Sequence, residues 1–171
     1  MKYLIHAPGM GRTEMDAATA LGLAAWLAMQ APKVKDLAVH QLNQLLLQPQ
    51  IAQSDVLIAK ADGDGRWVPS LWLSYAHFSA EFERDYMQNP SLPIPSSAWA
   101  SGDRLWGLNL LAPSAFDQTL LRLLQDLFAG KSLRSISPVS HRMGQRVVIW
   151  RGSDCSRIDA KKYWQERPIL A

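Results

Sequence analysis

The chain has one cysteine in 171 residues, Cys155, so it can form no internal disulfide and no cysteine-built zinc site, and a reducing compartment is expected. It also lacks any long apolar run. The longest, Ala20 to Met29, is about half of what a membrane-spanning helix requires, and the opening MKYLIHAPGM is broken by His6 and Pro8 before a signal-peptide core could form. No membrane span is expected, and the cytoplasm is the default location. The Gly-x-Ser-x-Gly and His-Glu-x-x-His signatures are missing too, which removes the commonest hydrolase and zinc-protease readings. Gly130-Lys131-Ser132 has the ending of a phosphate loop, but the first glycine of that pattern would fall on Gln125 and a predicted helix precedes it, so Gly130 reads as a helix C-cap. Asp62-Gly63-Asp64-Gly65 opens like a calcium loop, yet the later acidic ligands do not follow, and no metal is expected. His6, His40, His77 and His141 are scattered over different elements. Nucleic-acid binding would need basic and aromatic residues interleaved on one surface, whereas the aromatics here lie mostly in the acidic first part.

The sequence does have the 48% hydrophobic and 19% charged content of a globular protein, and a length suited to one well-filled core, so a single domain over residues 1–171 is expected. Its net charge of +3 is unevenly divided. From Lys131 onward nine Lys and Arg face three acids (Asp154, Asp159, Glu166), giving +6, while residues 1–130 carry nine basic against twelve acidic side chains, giving −3. A basic C-terminal third suits an acidic partner, although a solvated face that serves only solubility has the same composition.

Thr13 followed by Asp16 has the form of a capping box, which predicts a mostly buried helix running to Gln30 and stopped by Pro32. A second helix is predicted from Asp36 to about Gln48, with Val39, Leu42, Leu45 and Leu46 on its core face and Pro49 as its stop. Val56 to Lys60 and Trp67 to Tyr75 flank the Asp-Gly-Asp-Gly turn as a hairpin, with Trp67, Pro69, Leu71, Leu73 and Tyr75 alternating onto one face. Ser79 caps a short helix over Ala80 to Met87. Leu105 to Ala112 reads as a buried strand, Phe116 to Phe128 as a helix, Ser132 to Ser137 and Arg146 to Trp150 as strands, and Ile158 to Arg167 as a last helix. The resulting order, ααββαβαββα, is a mixed α/β chain without the strict alternation of a parallel sheet.

One stretch stands apart. Trp99-Ala100-Ser101-Gly102-Asp103-Arg104-Leu105-Trp106, followed by an apolar strand and Ala112-Pro113, resembles the signature of the lysine acyltransferases that activate RTX haemolysins. Ala20-Leu21-Gly22 with Ala25-Trp26-Leu27, the segments Pro69 to Tyr75 and Glu81 to Tyr86, and Arg146 to Gly152 are similar to further parts of that family, so the likeness covers roughly residues 20–152. The resemblance implies an α/β fold with a mixed, largely antiparallel sheet flanked by helices, similar to the GNAT acetyltransferases. It implies no bound cofactor, acyl carrier protein as the donor of a fatty acyl group, and a lysine of an RTX-type or other secreted client protein as acceptor. Acyl carrier protein is acidic, which gives the basic residues Lys131, Arg134, Arg142 and Arg146 a candidate use; pairing of the chain with itself is left open.

The chemistry needs something to accept the proton of the lysine amine, whose ordinary pKa near 10.4 keeps it protonated at neutral pH. The resemblance implies a histidine in a Ser-Pro-x-His turn after the first helix, supported by an aspartate on the strand after Gly-Asp-Arg-x-Trp. Here that turn reads Ala31-Pro32-Lys33-Val34, and three residues past Trp106 stands Asn109. Neither Val34 nor Asn109 can take a proton near neutral pH. His40 is the nearest substitute base in sequence, with Asp36 one turn before it, although a surface contact explains that pair as well. A missing general base typically costs about 10²- to 10⁴-fold, so two readings stand side by side: a transferase with a rearranged site, and a catalytically silent homologue that binds or regulates. On the second, restoring activity requires Val34→His together with Asn109→Asp. Asp103 and Arg104 are expected to anchor the turn, since arginine cannot serve as a base.

Overall fold

A computed structural model of the protein describes residues 2–32, 34–112, 117–138 and 145–170. Its strands are β1 (Tyr3–Ala7), β2 (Arg12–Thr13), β3 (Asp55–Ala61), β4 (Trp67–Phe78), β5 (Arg104–Leu111), β6 (Ser132–Pro138) and β7 (Gln145–Arg151), in the sheet order β2-β1-β3-β4-β5-β6-β7. The pairs β1/β2, β1/β3, β3/β4 and β6/β7 are antiparallel and β5/β6 is parallel, so the sheet is mixed and largely antiparallel. The helices are α1 (Ala17–Gln30), α2 (Val39–Leu42), a π-helical turn (Asn43–Leu47), α3 (Gln48–Ile51), α4 (Ala80–Gln88), α5 (Gln118–Leu127) and α6 (Arg157–Gln165). The class is α/β, as the residue pattern implied. Among the described residues no helix is long and apolar enough to cross a membrane.

Two compact units can be traced: Met1–Tyr75 with Asn109–Leu120, and Ala76–Leu108 with Leu121–Ala171. In the first, α1 starts at Asp16, whose carboxylate accepts from Thr19 N at 2.9 Å and from Thr19 Oγ1 at 2.6 Å. Asp16, and not Thr13, is therefore the cap; Thr13 is taken up in β2. The buried stripe Ala20, Ala24, Leu27 and Ala28 has the spacing of one helical face, and its small side chains let α1 lie close over Leu57, Trp72 and Leu111 of the sheet.

Two strands at the N-terminus were not foreseen, and two expectations about turns are corrected. Helical structure does not stop at Pro49 but runs through it to Ile51. Proline has no N–H and its ring crowds the carbonyl four residues back, and the chain accommodates this by a wider turn in which Gln48 N donates to Asn43 O, five residues earlier. In the hairpin, Ile58 pairs with Leu71 but Ala59 with Pro69, so Ser70 is an extra residue. That bulge reverses the alternation: Trp67 and Pro69 fall on the opposite face from Leu71, Leu73 and Tyr75. The turn itself closes on Asp62, whose Oδ1 accepts from Asp64 N at 2.9 Å and Arg66 N at 2.8 Å, with Gly65 at φ +79°. Pro113, Phe116, His141 and Arg142 lie outside the described residues, as does the side chain of Val39.

Candidate functional site

The Ser101-Gly102-Asp103-Arg104 turn belongs to the second unit, and each of its four residues has a mechanical task. Ser101 Oγ accepts from Ser79 N at 2.8 Å, tying the turn to the cap of α4. Gly102 lies so close to that cap that a Cβ would sit 2.5 Å from Phe78 O and 2.6 Å from Ser79 Cα, which leaves no room for any side chain. Asp103 accepts from Arg167 Nε at 2.6 Å, and this guanidinium holds its carboxyl below the usual carboxylate range. Arg104 Nε donates to Glu83 Oε2 at 2.8 Å.

Glu83 is the hub of this frame. It is fully buried, and besides Arg104 it accepts from Trp106 Nε1 and from Arg134 Nη1, both at 2.8 Å and both on Oε1. Arg134 Nη2 in turn donates to Arg167 O at 3.0 Å, and its guanidinium lies 4.0 Å over the ring of Trp164. Trp106, a donor to this carboxylate, packs with Tyr86 and through it with Phe78, the ring centroids standing 5.3 Å apart for Tyr86–Trp106 and 5.2 Å for Phe78–Tyr86. Burying charge in apolar surroundings requires pairing and hydrogen bonds, and here one carboxylate accepts from two guanidinium groups.

In the first unit, β5 carries Asn109, which is half-buried and donates from N and Nδ2 to Ser74 Oγ at 3.3 and 3.2 Å. Val34 follows the end of α1, with its N donating to Ala31 O at 3.0 Å and its side chain packed on the apolar cluster of α1 and the sheet. His40 is exposed on α2. Asp36 precedes that helix instead of standing one turn earlier on it, and its partner is Lys35, at 4.0 Å.

Residues 13–151 of the chain match the HlyC family of RTX toxin acyltransferases. The chain belongs to this family. It is 32% identical over 143 residues to the protein-lysine palmitoyltransferase CyaC of Bordetella bronchiseptica, covering 84% of this chain and 69% of that protein. It is 24% identical over 151 residues to an RTX-III toxin-activating lysine-acyltransferase of Actinobacillus pleuropneumoniae, over 88% and 84% of the two chains. With the leukotoxin-activating lysine-acyltransferase LtxC of Aggregatibacter actinomycetemcomitans it shares 26% over 146 residues, 85% and 83% of the two chains.

For a member of an acyltransferase family the first unit also holds a pair of ionisable side chains that the sequence reading missed. His6 on β1 pairs with Leu57 on β3, and Asp55, two residues before Leu57, pairs with Ser74 on β4. Side chains two apart on a strand share a face, so His6, Asp55, Ser74 and Asn109 form a polar row across the face that otherwise packs on α1. His6 is 3% and Asp55 2% exposed. Burial pushes the Asp55 carboxyl up to about 6, against the pull of His6, of its own backbone N–H and of Trp72. The same carboxylate adds to the burial that pushes the Tyr75 hydroxyl up to about 12. His6 Nε2 and Asp55 Oδ1 have no hydrogen-bond partner among the described residues. Each such group costs about 1–3 kcal/mol, and native proteins keep few of them. An imidazole in phase with Leu4 in Tyr3-Leu4-Ile5-His6-Ala7, and an aspartate directly ahead of Val56-Leu57-Ile58, were the available signals.

Of the basic residues expected to meet an acidic partner, Lys131 and Arg146 are exposed. Arg134 is 6% exposed and paired with Glu83, so its guanidinium is turned into the fold and not towards a partner. A basic residue in a strand was indistinguishable from a surface charge until its burial was known.

Proposed function

We propose that this chain transfers a fatty acyl group from acyl carrier protein to a lysine ε-amine of an RTX-type or other secreted client protein, in the cytoplasm. The observation that carries this reading is the match over residues 13–151 together with the frame around Glu83, in which Gly102, Asp103, Arg104 and Trp106 all have defined partners. The test is mass spectrometry of a lysine-bearing client after incubation with acyl-charged carrier protein. Acylated lysine is the expected product. With apolar Val34 and neutral Asn109 at the positions the resemblance assigns to base and carboxylate, the double change Val34→His with Asn109→Asp is expected to raise the rate, while either change alone does little. No acylation under conditions where an intact family member works fully would replace this reading with that of a silent binding protein.

Donor docking is assigned to the exposed cations. Lys131→Glu combined with Arg146→Glu is expected to weaken association with acyl carrier protein by roughly tenfold, since each exposed charge contributes up to about 1 kcal/mol, and added salt should weaken it likewise. Titration of the carrier protein by calorimetry at low and high salt checks this. Equal affinity of the unmodified and doubly reversed chains would remove these residues from the interface.

A further inference from the structure

We propose that the pocket of about 560 Å³ beside the start of α1, lined among others by His6, Pro8, Met15, Asp16 and Ala17, receives the side chain of the acceptor lysine, and that His6 takes the amine's proton. Naming lysine as the occupant rests on the acyl-transfer reading above.

The chemistry of the pocket floor points to a donor. His6 Nδ1 lies 3.1 Å from the carbonyl oxygen of Met15, which can only accept, so the proton of the neutral ring is on Nδ1 and Nε2 presents a bare lone pair. Nε2 is buried and without a partner among the described residues, and so is Asp55 Oδ1 on the same sheet face. The bare acceptor on His6 selects against a carbonyl or an anion and in favour of a group that bears N–H; Asp55 does not itself line the pocket. A primary amine, with its N–H donors on a flexible apolar stem, suits a pocket that joins the apolar Pro8, Met15 and Ala17 to His6 and to the carboxylates of Glu14 and Asp16. Asp55 lies close enough to His6 for the two to interact electrostatically. A carboxylate there stabilises the imidazolium that forms when Nε2 is protonated. The pair thus supplies the base and the orienting acid that Val34 and Asn109 cannot. His6 stands about three strand spacings from Asn109, roughly 14 Å, and Asp55 about two, roughly 10 Å, along the same sheet face.

The step balances with an acyl thioester as co-reactant. The lysine, after its ammonium has lost one proton to solvent, attacks the thioester carbonyl carbon as the neutral amine, its next proton passes to His6 Nε2, the C–N bond forms and the C–S bond breaks. The leaving thiolate then recovers the proton from the imidazolium, returning His6 to its starting tautomer. Nε2 is covered in this structure, so the amine reaches it by parting the pocket wall, where the two residues of β2 pair with His6 and Ala7 of β1.

The experiment uses the full chain with ring-15N-labelled histidine and Nα-acetyl-lysine methylamide as the probe. A saturable shift of the His6 Nε2 resonance is expected, weaker in Asp55→Asn and absent with the Nε-acetylated probe. In parallel, His6→Gln is expected to lower kcat for acyl transfer by about 10²- to 10⁴-fold with KM for the charged carrier protein unchanged. No saturable shift in the unmodified chain, as for a pocket that holds one ordered water only, overturns the proposal without any variant having to fold. Undiminished transfer by His6→Gln also overturns it and leaves the proposed function standing. A saturable shift in a chain that transfers nothing removes the transfer reading and keeps the amine site.

Discussion

Replacing Glu83 by alanine is expected to lower the stability of the protein by about 3–5 kcal/mol, the usual cost of removing one member of a buried ion pair. For a chain of this length that corresponds to roughly 6–20 °C in Tm. The size follows from what is left behind. Arg104 and Arg134 keep their positive charges, since a guanidinium does not deprotonate, and both stay mostly out of water at 12% and 7% exposure, with only Arg104 keeping an acid nearby, Asp103 at 3.8 Å. Trp106 Nε1 loses its acceptor at the same time. Glu83→Gln restores the shape and one acceptor but no charge, so it should fall between the alanine variant and the unmodified protein. Thermal and denaturant melts of the three proteins decide the matter. A loss below about 1 kcal/mol for alanine, the range of exposed ion pairs, would mean that the network is solvated after all.

Asp55→Asn is expected to act in the opposite direction. The folded-state carboxyl titrates near 6 and the unfolded one near 3.9, so the folded chain holds the proton more tightly. A group raised in this way contributes stability below the unfolded pKa and loses it as pH rises through the folded one. The loss is complete above about pH 7 and amounts to about 3 kcal/mol for a shift of roughly two units. The amide cannot ionise and escapes that loss. The variant should therefore match the unmodified protein near pH 4 and exceed it by about 3 kcal/mol at pH 8, as read from denaturant midpoints across the range. A difference independent of pH would show that Asp55 is not the group that titrates. Stability gained by removing an ionisable side chain is the pattern of a site kept for function at a cost to the fold.

These two carboxylates also mark what could be read from the sequence. The hairpin around Asp62, the cap at Ser79 and the apolar run of α1 are local signals, and their elements lie within a few residues of where they were expected, although α1, expected to be mostly buried, buries one face only and leaves Trp26 and Met29 exposed. The tryptophan-and-glycine stretch before β5 was legible as a family resemblance, and with it the acyltransferase frame. Glu83 and Asp55 were not legible, because their partners come from other elements: Arg134 from β6, His6 from a strand whose five residues are too short to show a period. A carboxylate on a short helix looks the same whether water or two arginines face it. For the same reason Arg134 read as surface charge. Pro49 read as a stop because the local rule for proline takes no account of a turn widened to receive it.

That widened turn makes two features of the chain each other's condition. A turn closing over five residues holds one residue more than an α-helical turn, so the stretch Asn43–Leu47 is in effect a single-residue insertion, and Pro49 is what makes it useful. Deleting the exposed Asn43 alone would force the proline ring back against the carbonyl four residues earlier, and replacing Pro49 alone would leave a surplus residue with nothing to accommodate. Lost together, they leave a plain helix in which Leu45 and Leu46 keep their phase towards the core. Either change by itself therefore has to wait for the other, and relatives without one of the two should lack both.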